Sequence, residues 1–186
     1  FSFGWEGATA GELVFNTGMV GYPESLTDPS YYGQILVMTY PLIGNYGVPE
    51  FKPDSLYFES DRIQVRGLIV ADYSADYCHW NAHQSLGDWL KSQKIPAITG
   101  IDTRTLTQIL REEGTMLAKI TFDNDIDYYD PNRYNVVAEV TCSEPRTYGQ
   151  GKKRIALLDC GCKRSIISQL SQHKVEIMRL PWDSDL

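Results

Sequence analysis

Apolar positions in the first part of the chain come in short runs broken by glycine, proline and tyrosine. "GELVFN" (11–16) reads as a strand that starts after a glycine, and "QILVMTY" (34–40) as a buried strand, because a short continuous apolar run bounded by turn residues fits a strand covered on both faces. Between them "GMVGYPESLTDPSYYGQ" (18–34) is dense in Gly and Pro and reads as a long turn-rich segment, and "PLIGNYGVPE" (41–50) as a second loop. "IQVRGLIVADY" (63–73) is apolar with β-branched residues and predicts one or two strands.

The period then changes. In "HQSLGDWLKSQK" (83–94), Leu86, Trp89 and Leu90 fall at i, i+3 and i+4, which places them on one face of a helix that Pro96 ends. "PAIT" (96–99) predicts a short strand. "DTRTLTQILREEG" (102–114) predicts a second helix, with Asp102 as N-cap, Leu106, Ile109 and Leu110 as its apolar stripe and Gly114 just past its end. "TMLAKITF" (115–122) returns to strand. Residues 123–151, acidic and rich in Tyr, Asn and Pro before "GQGKK", read as an inter-domain connector with a little local structure. Beyond it, "RIALLD", "CGCK", "RSIISQLSQH" and "VEIMRLP" form strand, turn, helix and strand, a βαβ unit that would open a parallel α/β sheet. Taken alone, such a unit leaves sheet edges uncovered.

Composition refines this picture modestly. The chain has 186 residues, room for one domain or one plus part of another, and its apolar fraction of 42% supports a core. The formal net charge of -7, with no Lys/Arg block, predicts no nucleic-acid partner. No apolar run approaches the roughly 20 residues of a membrane span, so no membrane partner is expected either. "FSFGWEG" at the start lacks a basic region and an initiating Met, and "LPWDSDL" stops just after a strand, so the chain is expected to be a piece of a longer polypeptide cut at both ends. The cysteines, Cys78, Cys142, Cys160 and Cys162, are few and irregularly spaced, which suits reduced thiols in an intracellular compartment.

Candidate chemistry begins at "CGCK". Cys160 and Cys162 lack the second cysteine pair that a zinc site uses, and His173 stands about 15 Å away along the helix at 1.5 Å rise per residue. The spacing is one residue short of a CxxC redox motif. A cysteine at a helix N-terminus could be a nucleophile, but it needs a base, and His79, His83 and His173 sit in no motif that supplies one. The plainer reading makes Cys160 a small apolar residue at a strand end, Gly161 the enabler of a tight turn and Cys162 loop filling. In "CHWNAHQS" (78–85), His79 and His83 would share a face only if a helix ran through both, and a packed or surface role is the simpler one. No Walker A loop and no GxGxxG is present. "LTDPSYYGQ" (26–34) is a different case: Pro29 fixes φ, Asp28 and Ser30 can bond nearby backbone, and a rigid turn of this kind either presents the Ser30 hydroxyl to a small polar ligand or is purely structural.

These stretches carry a resemblance. "GELVFNTGMVGYPESLTDPSYYGQILVMTYPLIGNYGVPE" resembles the N-terminal domain of the small (glutaminase) subunit of carbamoyl phosphate synthetase, and "GIDTRTLTQILREEGTMLAKI" resembles that family's second hallmark. "IALLDCGCKRSIISQL…VEIMRLPWD" is similar to the first strand, helix and second strand of its class I glutamine amidotransferase domain, and the wording is nearest to animal-type fused forms. The resemblance implies an α/β fold: a swivelling β/β/α N-terminal domain over residues 1–150, followed by the incomplete start of the amidotransferase domain over 151–186. It implies an enzyme that makes carbamoyl phosphate from glutamine, bicarbonate and ATP, releasing ammonia through a cysteine thioester and passing it through a tunnel to a synthetase portion. ATP and Mg belong to that portion, which is the implied partner, in the same or a separate chain; no cofactor is implied within these residues.

The serine of "LTDPSY" belongs to the family's glutamine pocket and matches Ser30. The family's nucleophile elbow, oxyanion segment and His-Glu pair are expected beyond Leu186. The product would feed pyrimidine, arginine or urea synthesis in the cytoplasm, with the mitochondrial matrix as the other compartment. The competing reading is a non-catalytic interaction domain of an ammonia-dependent mitochondrial relative. Residues 1–186 alone are expected to release no ammonia from glutamine; thiol-dependent release that is lost on mutating Cys160 or Cys162 would contradict this.

Overall fold

The computed structural model describes residues 1–52, 55 and 57–185. The first unit is built on a five-stranded sheet. Its strands are β1 (Thr9–Asn16), β2 (Gln34–Met38), β5 (Gly67–Ile69), β8 (Ala97–Ile98) and β9 (Met116–Ile120), in the spatial order β8-β5-β2-β1-β9. The first four run parallel to their neighbours, and β9 closes the other edge antiparallel to β1. Two short ladders flank it: β3 (Leu42–Ile43) with β6 (Asp72–Tyr73), and β4 (Val48–Pro49) with β7 (Ala82–Gln84).

The central strand β2 is apolar throughout because it is covered on both faces. Leu36 and Met38 point into a core shared with α1 (Tyr22–Thr27) and α2 (Leu86–Ser92), where Tyr22, Leu26, Leu86, Trp89 and Leu90 are buried. Ile35 and Val37 point to the opposite face, against Leu13, Ile69 and Leu110 of α3 (Thr103–Glu113). The fold is therefore α/β, with helices on either side of a mainly parallel sheet. No helix among the described residues is long and apolar enough to cross a membrane.

Several local expectations shift. The turn-rich segment 18–34 contains α1, a helix with Pro23 in its first turn, and then a 3₁₀ turn, Pro29–Tyr31. The helix expected from residue 83 starts at Leu86, because the Ser85 hydroxyl caps it by accepting the Asp88 N–H at 3.0 Å, while residues 82–84 pair with β4. His83 thus lies in a strand and His79 in the loop before it, so no helix carries both. Asp102 caps α3 as expected, but Ile109 faces solvent. Thr103 and Thr107 take the buried places instead, the Thr107 hydroxyl donating to the Thr103 carbonyl at 2.7 Å and pairing with that of Thr39 at 2.8 Å.

The connector carries local structure, as expected of it. It holds a 3₁₀ turn (Pro131–Arg133), α4 (Val136–Val140) and β10 (Arg146–Tyr148). The βαβ unit forms as β11 (Lys153–Asp159), α5 (Arg164–Ser171) and β12 (Val175–Pro181), with β11 and β12 parallel. The outer edge of β12 is covered by β10, antiparallel, so this three-stranded sheet recruits residues from the connector. Ile167 of α5 packs on Val175 and Ile177.

The corner between β11 and α5 is organised by one carboxylate. Asp159 has no exposed surface and accepts the N–H groups of Cys142 (2.6 Å), Gly161 (3.0 Å) and Cys162 (2.7 Å). Arg179 of β12 adds Nε at 2.8 Å and Nη2 at 2.7 Å. Gly161 holds φ at 98°, which favours glycine, and a Cβ there would lie 3.0 Å from Val140 and 3.2 Å from Pro29. Burial opposes the charge on Asp159, but the Cys162 N–H, the Arg179 guanidinium and the Cys142 N–H outweigh it and hold the carboxyl below its ordinary pKa. A carboxyl depressed in the folded state stabilises the fold above its unfolded pKa, and that contribution is lost as pH falls through the folded value. Asp159→Asn is expected to flatten the acid limb of the stability profile. It should also cost about 3 kcal/mol at neutral pH, because it strands the Arg179 charge. Denaturant unfolding followed by circular dichroism across acid and neutral pH checks both; an unchanged acid limb would contradict the assignment.

Candidate functional site

Ser30 sits in the 3₁₀ turn that follows α1. The turn is pinned from several sides. The Thr27 hydroxyl donates to Pro23 O at 2.8 Å and accepts the Glu59 N–H at 2.8 Å, and the Ser60 hydroxyl donates to Thr27 O at 2.6 Å. Asn16, at the end of β1, donates to Ser25 Oγ and to the Tyr31 hydroxyl, each at 3.2 Å. Pro29 is buried, and Asp28, itself buried, accepts the Ser30 N–H through Oδ1 at 2.9 Å. Proline fixes φ while the aspartate closes an Asx turn, which is why this short stretch has one conformation. The Ser30 side chain is exposed, and its hydroxyl has no hydrogen-bond partner among the described residues.

The two stretches that the sequence singles out, "LTDPSY" and "CGCK", meet here. Lys163, the last residue before α5, reaches Asp28 Oδ2 with its Nζ at 3.0 Å. The hydrogen bond to Asp28 and the charge of that carboxylate raise the Lys163 pKa above its ordinary value. Pro29 lies beside Gly161, where a Cβ would come within 3.2 Å of the proline ring and the positive φ already favours glycine. A second set of contacts runs alongside. Arg164 bonds Asp61 and the Phe58 carbonyl, and the α5 N-terminus donates the Arg164 N–H to Glu59 O (3.0 Å) and the Ser165 N–H to Glu59 Oε2 (2.9 Å). Lys163 offers no side-chain cap, so α5 takes its cap from the other unit. Between the units lies a cleft of about 370 Å³ lined by Glu59, Ser60, Asp61, Arg146, Cys162 and Arg179, among others; Ser30 is outside that lining.

The cysteine pair carries little chemistry. Burial pushes the Cys162 thiol above its ordinary pKa, Arg179 only partly opposing it, and among the described residues no histidine lines the cleft beside it. A raised thiol is the opposite of what a nucleophile needs. Cys142 is likewise pushed up, first by burial and then by Asp159. Cys78 and Cys160 are exposed and unbridged. Among the described residues no group of three or more His, Cys, Asp or Glu is placed to hold a metal ion. His79 packs near Trp80 and Tyr46, its Nδ1 accepting the Asn81 N–H at 3.3 Å. The residues that reasoning from sequence passed over are Asp28 as a bridge, Lys163, Glu59 and Asp159. Only Asp159 left a signal, as a lone carboxylate closing an apolar strand.

Comparisons with known proteins identify the family. The family described as carbamoyl-phosphate synthase small chain, CPSase domain, matches residues 1–120. The mitochondrial carbamoyl-phosphate synthase [ammonia] of Homo sapiens is 48% identical over 192 residues, an alignment that takes in all of this chain and 13% of the human protein. The carbamoyl phosphate synthase arginine-specific small chain of Saccharomyces cerevisiae is 47% identical over 98% of this chain and 47% of its own length. The multifunctional protein CAD of Squalus acanthias is 46% identical over 97% of this chain and 8% of its own. The chain thus spans about half of the yeast small chain and a small fraction of the fused proteins. Most of its length matches the family domain, and near-complete alignments to both separate and fused relatives run through the Ser30 turn and the second sheet alike: the chain belongs to the carbamoyl-phosphate synthase small chain family.

Proposed function

We propose that this chain is the N-terminal part of a glutamine-dependent carbamoyl-phosphate synthase. In this reading residues 1–150 are a docking domain of the swivelling β/β/α type, and residues 151–186 begin a class I glutamine amidotransferase domain. Ser30 forms one edge of the glutamine pocket. The thioester cysteine comes from outside these residues, since Cys162 is held as a thiol and no described histidine lines its cleft. Ammonia released there goes to a synthetase portion, fused or separate, where ATP and Mg act on bicarbonate.

The observation that carries the reading is the position of Ser30: an exposed hydroxyl on a turn fixed by Pro29 and Asp28, at the seam of the two units. A hydroxyl fixed there can donate to or accept from the polar end of an amino acid bound across the seam. A second reading, the non-catalytic domain of an ammonia-dependent enzyme, is favoured by the 48% identity to the human protein whose name specifies ammonia and mitochondria. The first reading keeps the cytoplasm as its compartment; the second would take the chain to the mitochondrial matrix.

The test uses the intact enzyme that contains this chain. Carbamoyl phosphate formation supported by glutamine is expected, and Ser30→Ala should raise the glutamine KM about fivefold, the loss of one hydrogen bond of about 1 kcal/mol. A glutamine KM that does not move would make Ser30 purely structural. Synthesis from ammonia alone, with glutamine inert, would establish the second reading.

A further inference from the structure

We propose that Glu59 is a positioning residue for glutamine: it clamps α5 to the turn that presents Ser30, and so sets the spacing between the two walls of the pocket. This rests on the reading of Ser30 as an edge of the glutamine pocket. Residues 58–61 form a bracket with a grip at each end. On the Ser30 side, the Glu59 N–H donates to the Thr27 hydroxyl at 2.8 Å, and the Ser60 hydroxyl donates to Thr27 O at 2.6 Å. Thr27 is buried and ends α1, directly before the Asp28–Pro29–Ser30 turn. On the other side, Glu59 O accepts the Arg164 N–H at 3.0 Å and Glu59 Oε2 accepts the Ser165 N–H at 2.9 Å. The Arg164 side chain adds bonds to Asp61 and to the Phe58 carbonyl. One glutamate thus holds the end of α1 and the start of α5 together.

Both ends are firm where Glu59 grips them. The bracket is rooted in the first unit by Phe58, which is buried with its ring centroid 5.6 Å from that of Trp89. In the second unit α5 lays Ile167 on Val175 and Ile177, so a tilt of α5 carries the three-stranded sheet with it. The helix depends on the clamp for its own start. Ser85, Asp102 and Asn135 each cap their helix, α2, α3 and α4, by accepting one of its N–H groups. No side chain at the N-cap position of α5 does so, and its first two N–H groups go to Glu59 instead. An N–H group at a helix start needs an acceptor, and the helix dipole favours a carboxylate there. Cutting the Glu59 side chain leaves the Ser165 N–H without its acceptor, and a shift of α5 that brings it to water then lowers the energy. Such a shift widens the seam at the Ser30 turn. Glu59 touches no reacting atom in this scheme. It decides how far the Ser30 hydroxyl stands from the second unit when glutamine arrives, which is a matter of KM.

The experiment follows carbamoyl phosphate formation by the intact enzyme, first with glutamine and then with ammonia as nitrogen source. The variants are Glu59→Ala, Glu59→Asp, Glu59→Gln, Ser30→Ala and the Glu59→Ala/Ser30→Ala double variant. Glu59→Ala is expected to raise the glutamine KM about fivefold with kcat changed less than about twofold, part of the worth of one charge-assisted hydrogen bond. Its rate with ammonia should stay at wild type, because that route bypasses the pocket. Glu59→Asp keeps the charge but falls one methylene short of the Ser165 N–H, and should match Glu59→Ala. Glu59→Gln keeps both the reach and an acceptor oxygen, and should return KM to within about twofold of wild type. The double variant should fall short of the product of the two single effects, because both act on the Ser30 contact. A wild-type KM in Glu59→Ala, with that of Ser30→Ala raised, overturns the proposal, as does full multiplication in the double variant. Equal losses with glutamine and ammonia in both Glu59→Ala and Glu59→Asp also overturn it, since a merely structural clamp gives that pattern. The reverse ranking, with Asp normal and Gln impaired, does so too, because charge rather than the bond would then be responsible. Ser30→Ala without effect overturns the pocket reading instead, and does so without disturbing the Glu59 clamp.

Discussion

The geometry around the seam depends on a carboxylate that no solvent reaches. Asp159 gathers three backbone N–H groups and both donor arms of Arg179 around two oxygens. Those donors come from three places: the connector at Cys142, the corner at Gly161 and Cys162, and strand β12. Removing any one leaves a buried charge undersatisfied, which is costly in a low-dielectric interior, so the three segments have one mutual arrangement. With the corner set, the directions of Gly161 and Lys163 follow, and with them the approach to Asp28 and Pro29.

Among the described residues the apolar cores stay within their own units, and Gly161 beside Pro29 is a close contact between them. Two cores lie on the faces of the five-stranded sheet, and a third, small one lies under α5; no residue belongs to more than one. The hydrogen bonds and ion pairs across the seam run from Lys163 to Asp28, from Arg164 to Asp61 and the Phe58 carbonyl, from the α5 N-terminus to Glu59, and from Arg62 to the Glu139 carbonyl. Partly exposed ion pairs add little net stability, because Coulomb gain is offset by desolvation and side-chain entropy. Their contribution is register. A seam of directional bonds, each with a particular donor and acceptor, admits one docking pose where an apolar seam would admit several.

Much of the framework was legible in the residues. β2 declared itself as a buried strand by an unbroken apolar run, and α3 by Asp102 at its start and Gly114 past its end. The misses have physical causes. α1 is six residues long and set among Gly and Pro, so turn chemistry masked its Tyr22–Leu26 pair at i and i+4. Ile109 lost its place to Thr103 and Thr107 because each threonine hydroxyl or carbonyl there has a partner, which cancels the cost of burying it. Ser30 stands out in the sequence by its turn chemistry and by the family likeness of the stretch around it. Its support does not, because Asp28 and Lys163 are 135 positions apart and local pattern says nothing about pairs at that separation.

That separation also explains why the cysteines drew the eye and the lysine did not. Cys-Gly-Cys is a compact local pattern, and local patterns suggest local chemistry. The environment reverses the order of interest. Burial raises the Cys162 thiol and withholds a base from it, while the residue just after it, unremarkable as a lone lysine, carries the charge that spans the seam. A strand-to-helix corner offers its next residue a fixed origin and a free direction. Here that direction is taken by a cation aimed at a buried carboxylate, while the glycine at the centre of the pattern turns the chain at positive φ beside Pro29.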